Sequence, residues 1–137
     1  MQVSHLLKPT HSIAALRMMM GVIFILHSGV RIYNNSLPGF GGYLEGKGLP
    51  FGFYLACAVT IFELVGGVFM FFRRYVKIFC LGEIFILITG IFTVHWQGGW
   101  FADSMTLGGM ESSIVLITVL LAVFFAEKKS KRNIKPG

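Results

Sequence analysis

Residues 52–96 read GFYLACAVTIFELVGGVFMFF-RRY-VKIFCLGEIFILITGIFTVHW, two apolar blocks joined by the turn Arg73-Arg74-Tyr75. Each block is 21 residues long, and a helix needs roughly 20 mainly apolar residues to cross a bilayer. Lipid offers the backbone no hydrogen-bond partners, which favours helices because they satisfy their own backbone groups. The turn is so short that the two helices are predicted to form an antiparallel hairpin.

Two further apolar blocks flank this hairpin, and the four predicted membrane-spanning helices cover 13–33, 52–72, 76–96 and 107–126. The first block carries Arg17 and His27 and lacks a small-residue cleavage site, so it is interpreted as a retained helix rather than a signal peptide. The connection 34–51 is rich in Gly and Pro and is predicted to be a loop at the membrane interface. The expected fold is an all-α, integral membrane four-helix bundle in a single domain, 1–137.

Composition excludes a soluble domain and a nucleic-acid partner. The 137 residues are 55% hydrophobic and 13% charged, whereas a soluble domain is about 25% charged. The net charge is +6, but the cations flank the apolar blocks instead of lining one basic face. Cys57 and Cys80 lie inside spans without metal-ligand spacing, which indicates buried packing residues. The expected surroundings are a lipid bilayer, with a protein partner or a second copy of the chain left open.

The cations also predict the orientation. Nine lie on one predicted side of the membrane: Lys8, Arg73, Arg74, Lys77, Lys128, Lys129, Lys131, Arg132 and Lys135. The other side has two, Arg31 and Lys47. Because cytoplasmic loops carry the excess of Lys and Arg, both termini are predicted to be cytoplasmic. The tail 127–137 is interpreted as a disordered topological anchor.

Ionisable residues inside the spans are the candidates for function, because charge at depth is costly and usually faces the bundle interior. Arg17 and Glu83 are predicted to form an inner structural pair. An outer ligand or proton pocket is predicted from one residue of each helix: His27, Glu63, His95 and Glu111. Glu63 lies near the midplane, so its carboxyl should be protonated, paired or ligating. No catalytic residue is assigned.

Each of these residues also has a purely structural interpretation. Arg17 could extend to the membrane surface, His27 could be a packing residue, and His95 could belong to an interfacial belt. Glu111 could be a helix N-terminal charge. Two His and two Glu could bind a divalent metal, but no spacing motif supports it and no metal is predicted. The apolar surroundings with His and Glu also suit a quinone or lipid-like ligand.

The chain resembles the DoxX family of small four-helix membrane proteins. The resemblance rests on Leu16-Arg17, Gly21, His27-Ser28-Gly29, Gly48-Leu49-Pro50, Glu63-Leu64-Val65-Gly66-Gly67, His95 and Glu111. It implies a protein of the bacterial or archaeal inner (cytoplasmic) membrane. Some members are subunits of a thiosulfate:quinone oxidoreductase, and others associate with redox complexes. The family's recurring polar residues fall on Arg17, His27, Glu63, His95 and Glu111, whereas Glu83 lies outside that pattern.

Three functions are therefore expected as alternatives. The first is a subunit or accessory of a redox or quinone-linked membrane system with a polar intramembrane pocket. The second is a non-catalytic membrane anchor or assembly partner for another protein. The third is a small transporter or metal-handling protein. The resemblance leaves open whether the chain is itself an enzyme.

Overall fold

The computed structural model describes residues 8–95 and 110–132, except for the side chains of residues 94–95 and 128–132. Its elements, in chain order, are α1 (Pro9–Tyr33), α2 (Leu37–Gly46), α3 (Gly52–Phe71), α4 (Val76–Gly90), a π-helical turn (Ile91–His95) and α5 (Met110–Arg132). Every regular element in these ranges is a helix. Four of the helices are long and apolar enough to cross a membrane, which confirms the predicted all-α fold with four spans.

Helices α1 and α3 meet through glycines. A Cβ on Gly21 would lie 2.6 Å from the carbonyl oxygen of Gly67, and a Cβ on Gly67 would lie 2.7 Å from that of Gly21. The two backbones therefore touch, as small residues permit in membrane helix pairs. Gly66 packs against α4 instead, because a Cβ there would lie 2.7 Å from the ring of Phe79. Adjacent glycines of α3 thus admit two different neighbouring helices, Gly67 admitting α1 and Gly66 admitting α4.

Helices α3 and α4 form the predicted antiparallel hairpin. The connection between Phe71 and Val76 is short, and two of its residues have a left-handed backbone conformation: Arg73 has φ 58° and Tyr75 has φ 51°. Aromatic rings then join α3 to the first turn of α4. Phe69 stacks on Phe79 with ring centroids 5.4 Å apart.

The core lies near the hairpin turn, where α1, α3, α4 and α5 meet. Its buried members are Met20, Phe24, Met70, Val76, Cys80, Leu120 and Val123. Cys80 is fully buried there, as expected of an apolar packing residue, while Cys57 is half-buried; both thiols are free.

The region predicted as a loop, 34–51, contains the helix α2. Pro38 falls in its first turn, where the missing N–H costs no helical hydrogen bond. Gly41 then lets α2 pack directly on the start of α3, because a Cβ on Gly41 would lie 2.6 Å from the Cα of Phe53. This packing stabilises a helix in a segment whose glycine content argued against one.

The tail prediction also needs correction. Helix α5 continues beyond Glu127 to Arg132, so residues 127–132 are helical rather than disordered. The Glu127 carboxylate accepts a hydrogen bond from Arg73 Nε at 3.2 Å. Cations in the last turn of a helix also interact favourably with its dipole and so stabilise it. The predicted start of this span at 107 lies outside the described residues.

Candidate functional site

An ion pair between Arg31 of α1 and Glu63 of α3 is the centre of the site. Arg31 Nη1 donates to Glu63 Oε2 at 2.9 Å and to Thr60 Oγ1 at 2.9 Å. The two charged side chains are only 14% and 9% exposed. Of the three states expected for Glu63, the structure shows the paired one, and its partner is a cation that the sequence assigned to the membrane surface.

Arg31 reaches Glu63 because its side chain is directed along α1 toward the helix N-terminus. The Gly21–Gly67 contact sets an antiparallel register in which Thr60 and Glu63 lie roughly one to two helical turns deeper than Arg31. Side chains of a helix lean toward its N-terminus, which for Arg31 is the direction of the bundle interior. The arginine thus extends inward to neutralise a carboxylate, rather than outward to water.

Helix α2 covers the end of this pair. The ring of Phe40 lies under the Arg31 guanidinium, with its centroid 4.7 Å from the guanidinium carbon, a cation–π distance. Glu45 holds α2 to the start of α3, because its Oε1 accepts the backbone N–H of Gly52 at 3.1 Å. The guanidinium is therefore held between an acid, a hydroxyl and an aromatic face.

A lateral groove runs along α1 beside the pair. It is lined by Ile23, Leu26, His27, Val30, Arg31 and Ser36 and has a volume of about 500 Å³. His27 is exposed in this groove and lies within electrostatic range of Glu63. The groove therefore combines apolar walls with one titratable ring and one fixed cation.

The structure describes the side chains of three of the four predicted pocket residues. Glu63 bonds to Arg31, and His27 lines the same groove as Arg31. Glu111 lies half-buried in the first turn of α5. The side chain of His95 lies outside the described residues. A pocket shared by all four residues stays a prediction.

The predicted Arg17–Glu83 pair is not formed. Arg17 Nη1 donates to the carbonyl oxygens of Met70 and, at 2.9 Å, Phe71. These carbonyls lie in the last turn of α3, where oxygens lack helical donors and the dipole is negative. Arg17 therefore caps α3, while Glu83, on α4 against Gly66, has no hydrogen-bond partner in the described part of the chain.

Sequence reasoning missed Arg31, Thr60 and Phe40 as members of the site. One signal could have found Arg31: it follows His27 by four residues and so lies on the same face of α1. A carboxylate at the depth of Glu63 requires a counterion, and the long arginine side chain can supply one from a nearby turn. Phe40 carried no such signal, because its role depends on the position of α2.

Among the side chains that the structure describes, which do not include that of His95, no group of three or more His, Cys, Asp or Glu lies close enough to hold a metal ion. The polar atoms at the centre of the site are instead engaged with one another. The arrangement suits a ligand that accepts hydrogen bonds and has an apolar body.

Comparison with known proteins identifies one family. The DoxX family model matches residues 12–96, a stretch that contains Arg31, Thr60, Glu63 and the groove. No curated protein and no solved structure matches the chain.

Proposed function

The chain belongs to the DoxX family, and from this premise we propose that it is the membrane subunit of a redox system that binds a quinone-like lipophile. It is a multi-pass membrane protein, as four apolar helices and the family both indicate. The observation that carries the proposal is the groove on α1, where His27 lies exposed beside the buried Arg31–Glu63 pair.

The groove matches the chemistry of a quinone. Such a ligand has carbonyl oxygens that accept hydrogen bonds, on a ring attached to an apolar tail. Ile23, Leu26 and Val30 supply apolar contact, while Arg31 and His27 supply N–H donors. Small-molecule sites are typically apolar with a few placed polar groups.

The two donors have different roles in this proposal. Arg31 is fixed by Glu63, Thr60 and Phe40, so it supplies a constant positive charge and orients a carbonyl. His27 is exposed, and its imidazole carries both an N–H donor and a nitrogen that can accept a proton. His27 is therefore the group that exchanges a proton with the ligand as its redox state changes.

The proposed setting is the inner membrane, with both termini cytoplasmic. Nine cations on one side against two on the other favour this orientation. The groove, near the end of α1, then lies in the outer leaflet. A lipophile can enter it sideways from the bilayer, because Leu26, His27 and Val30 of its lining are exposed on the surface of α1.

The test measures binding of a short-chain benzoquinone to the protein in lipid nanodiscs. We expect saturable binding that His27→Ala weakens by about tenfold, the effect of losing one hydrogen bond. His11→Ala is the matched control, because His11 is also exposed on α1 but lies outside the groove. Equal binding by the two variants would remove His27 from the site, and no saturable binding to the wild-type protein would refute the proposal.

A second function, an assembly partner for another protein, is favoured by the end of α5. The helix extends beyond the apolar span at Glu127 to Arg132, in a segment that contains Lys128, Lys129 and Lys131. A basic helical extension suits an acidic protein surface. Deletion of residues 128–137 should abolish crosslinking to such a partner in native membranes while leaving quinone binding intact. Unchanged crosslinking would contradict this function.

A further inference from the structure

Glu83 is a buried carboxyl that the ligand site does not use. It lies on α4, seven residues after Val76, and is 0% exposed. Its Oε1 faces Gly66 of α3, at 3.3 Å from the position of a Cβ there, next to the ring of Phe79. Neither of its oxygens has a hydrogen-bond partner among the described residues. The carboxyl therefore lies in an apolar seam between α3 and α4.

The charged groups that act on Glu83 include one cation, Arg31, which cannot neutralise two carboxylates at once. Glu63 on α3 and Arg31 on α1 act on it electrostatically, and Arg31 is already bonded to Glu63. Cys80 lies one turn earlier on α4 itself. Helix α5 packs on the core through Leu116, Val119, Leu120, Val123 and Phe124, and its buried polar side chain Ser113 is uncharged. Two carboxyl groups thus share one cation.

We propose that Glu83 is an intramembrane proton-binding site, a carboxylic acid that is neutral at physiological pH and exchanges its proton with the Arg31–Glu63 pair. An isolated buried carboxylate costs far more free energy than its protonated form. With Arg31 positive, Glu63 negative and Glu83 neutral, the three groups together carry no net charge. If both carboxyl groups were ionised, or both protonated, an unpaired charge would remain in the bilayer.

The cluster can move one proton without changing its net charge. When Glu63 takes a proton, its O–H bond forms, the O–H bond of Glu83 breaks, and the Glu83 carboxylate becomes the counterion of Arg31. No electron moves in this step. The inference goes beyond the proposed function, because it concerns a proton and holds whether or not the groove binds a quinone.

Infrared spectroscopy of the protein in lipid nanodiscs tests the protonation of Glu83. The C=O stretch of a protonated carboxylic acid is separate from that of a carboxylate and shifts in D2O. We expect this band in the wild-type protein at neutral pH and its loss in Glu83→Gln. The control is Glu45→Gln, which changes an exposed carboxylate on α2 and should retain the band. A band that persists in Glu83→Gln, or its absence from the wild-type protein, would overturn the inference.

Two variants that keep Glu83 test the exchange. In Glu63→Gln, Arg31 loses its partner, so Glu83 should ionise to balance it and the band should disappear. In Arg31→Gln, Glu63 loses its cation and should also bind a proton, so the band area should rise about twofold. An unchanged band in Glu63→Gln would show that the groups are not coupled. Quinone binding is measured separately, so its failure would leave this result standing.

Discussion

Arg17 and Arg31 lie on the same helix, lean in the same direction and meet different parts of α3. Both side chains extend toward the N-terminus of α1, which runs antiparallel to α3. For Arg17 that direction leads to the last carbonyl oxygens of α3, and for Arg31 it leads to Glu63 near the middle of the helix. One residue type therefore caps a helix at one level and neutralises a buried acid at another.

The Arg31–Glu63 pair should matter most to stability when only one partner is removed. Arg31→Met leaves the buried Glu63 carboxyl without its cation, so that it must bind a proton and lose its hydrogen-bond donor; we expect a loss of about 3 kcal/mol in the free energy of unfolding. The double variant Arg31→Met/Glu63→Met removes both charges and should recover most of that loss. Chemical denaturation in detergent micelles measures both values. A double variant as unstable as the single one would contradict this account of the pair.

Replacing Glu83, unlike removing one partner of the Arg31–Glu63 pair, should stabilise the protein. Glu83→Met replaces an unpartnered buried polar group by an apolar one of similar length, so we expect stability to rise by about 1–3 kcal/mol. Glu45→Gln, an exposed change that keeps an acceptor for Gly52 N–H, should stay within about 0.5 kcal/mol of wild type. The same denaturation assay compares them. A destabilised Glu83→Met would mean that the carboxyl has a stabilising partner.

At the scale of the elements, backbone contact between α1 and α3 determines the geometry of the site. The Gly21–Gly67 contact sets both the separation and the register of the two helices. A different register would place Arg31 beside other residues of α3 and leave Glu63 without its cation. The two glycines are therefore part of the site, although they lie outside its polar centre.

A methyl group at this contact should separate the helices. Gly21→Ala and Gly67→Ala would each place a Cβ within 2.7 Å of a backbone oxygen, so we expect destabilisation of about 1–3 kcal/mol. Gly29→Ala, on α1 with no neighbour within 4 Å, should instead gain about 0.5–1 kcal/mol of helix stability. Thermal unfolding in nanodiscs compares the three variants. Similar effects at all three positions would show that the contact is not the cause.

Helix α2 shows why short elements are hard to predict from sequence. Pro38 and the glycines of 37–46 are typical of a loop, and local propensity is a weak prior that tertiary packing overrides. Here Gly41 packs on the start of α3 and Phe40 packs on Arg31. Both contacts join residues of different helices, so the local sequence pattern of 37–46 does not predict them.

The whole molecule should lie in the membrane with both termini on the cytoplasmic side. The nine-to-two distribution of cations predicts this orientation. A fluorescent protein fused after Gly137 should be fluorescent in cells, whereas an alkaline phosphatase fused there should be inactive. As a control, a phosphatase fused within the loop after Gly46, on the opposite predicted side, should be active. The reverse pattern would invert the topology and place the groove in the inner leaflet.

The membrane fold and its four spans followed from the sequence alone, as did the hairpin turn, because hydrophobicity and length are properties of each segment by itself. The sequence also indicated that the Glu63 carboxyl must be protonated, paired or ligating, since the cost of a buried charge depends on depth. Which cation reaches which acid was decided only in the tertiary structure. That choice depends on the register and rotation of helices that meet through Gly21 and Gly67, which place Arg31 against Glu63 and Arg17 against the last carbonyl oxygens of α3 instead of the Glu83 carboxyl that the sequence predicted.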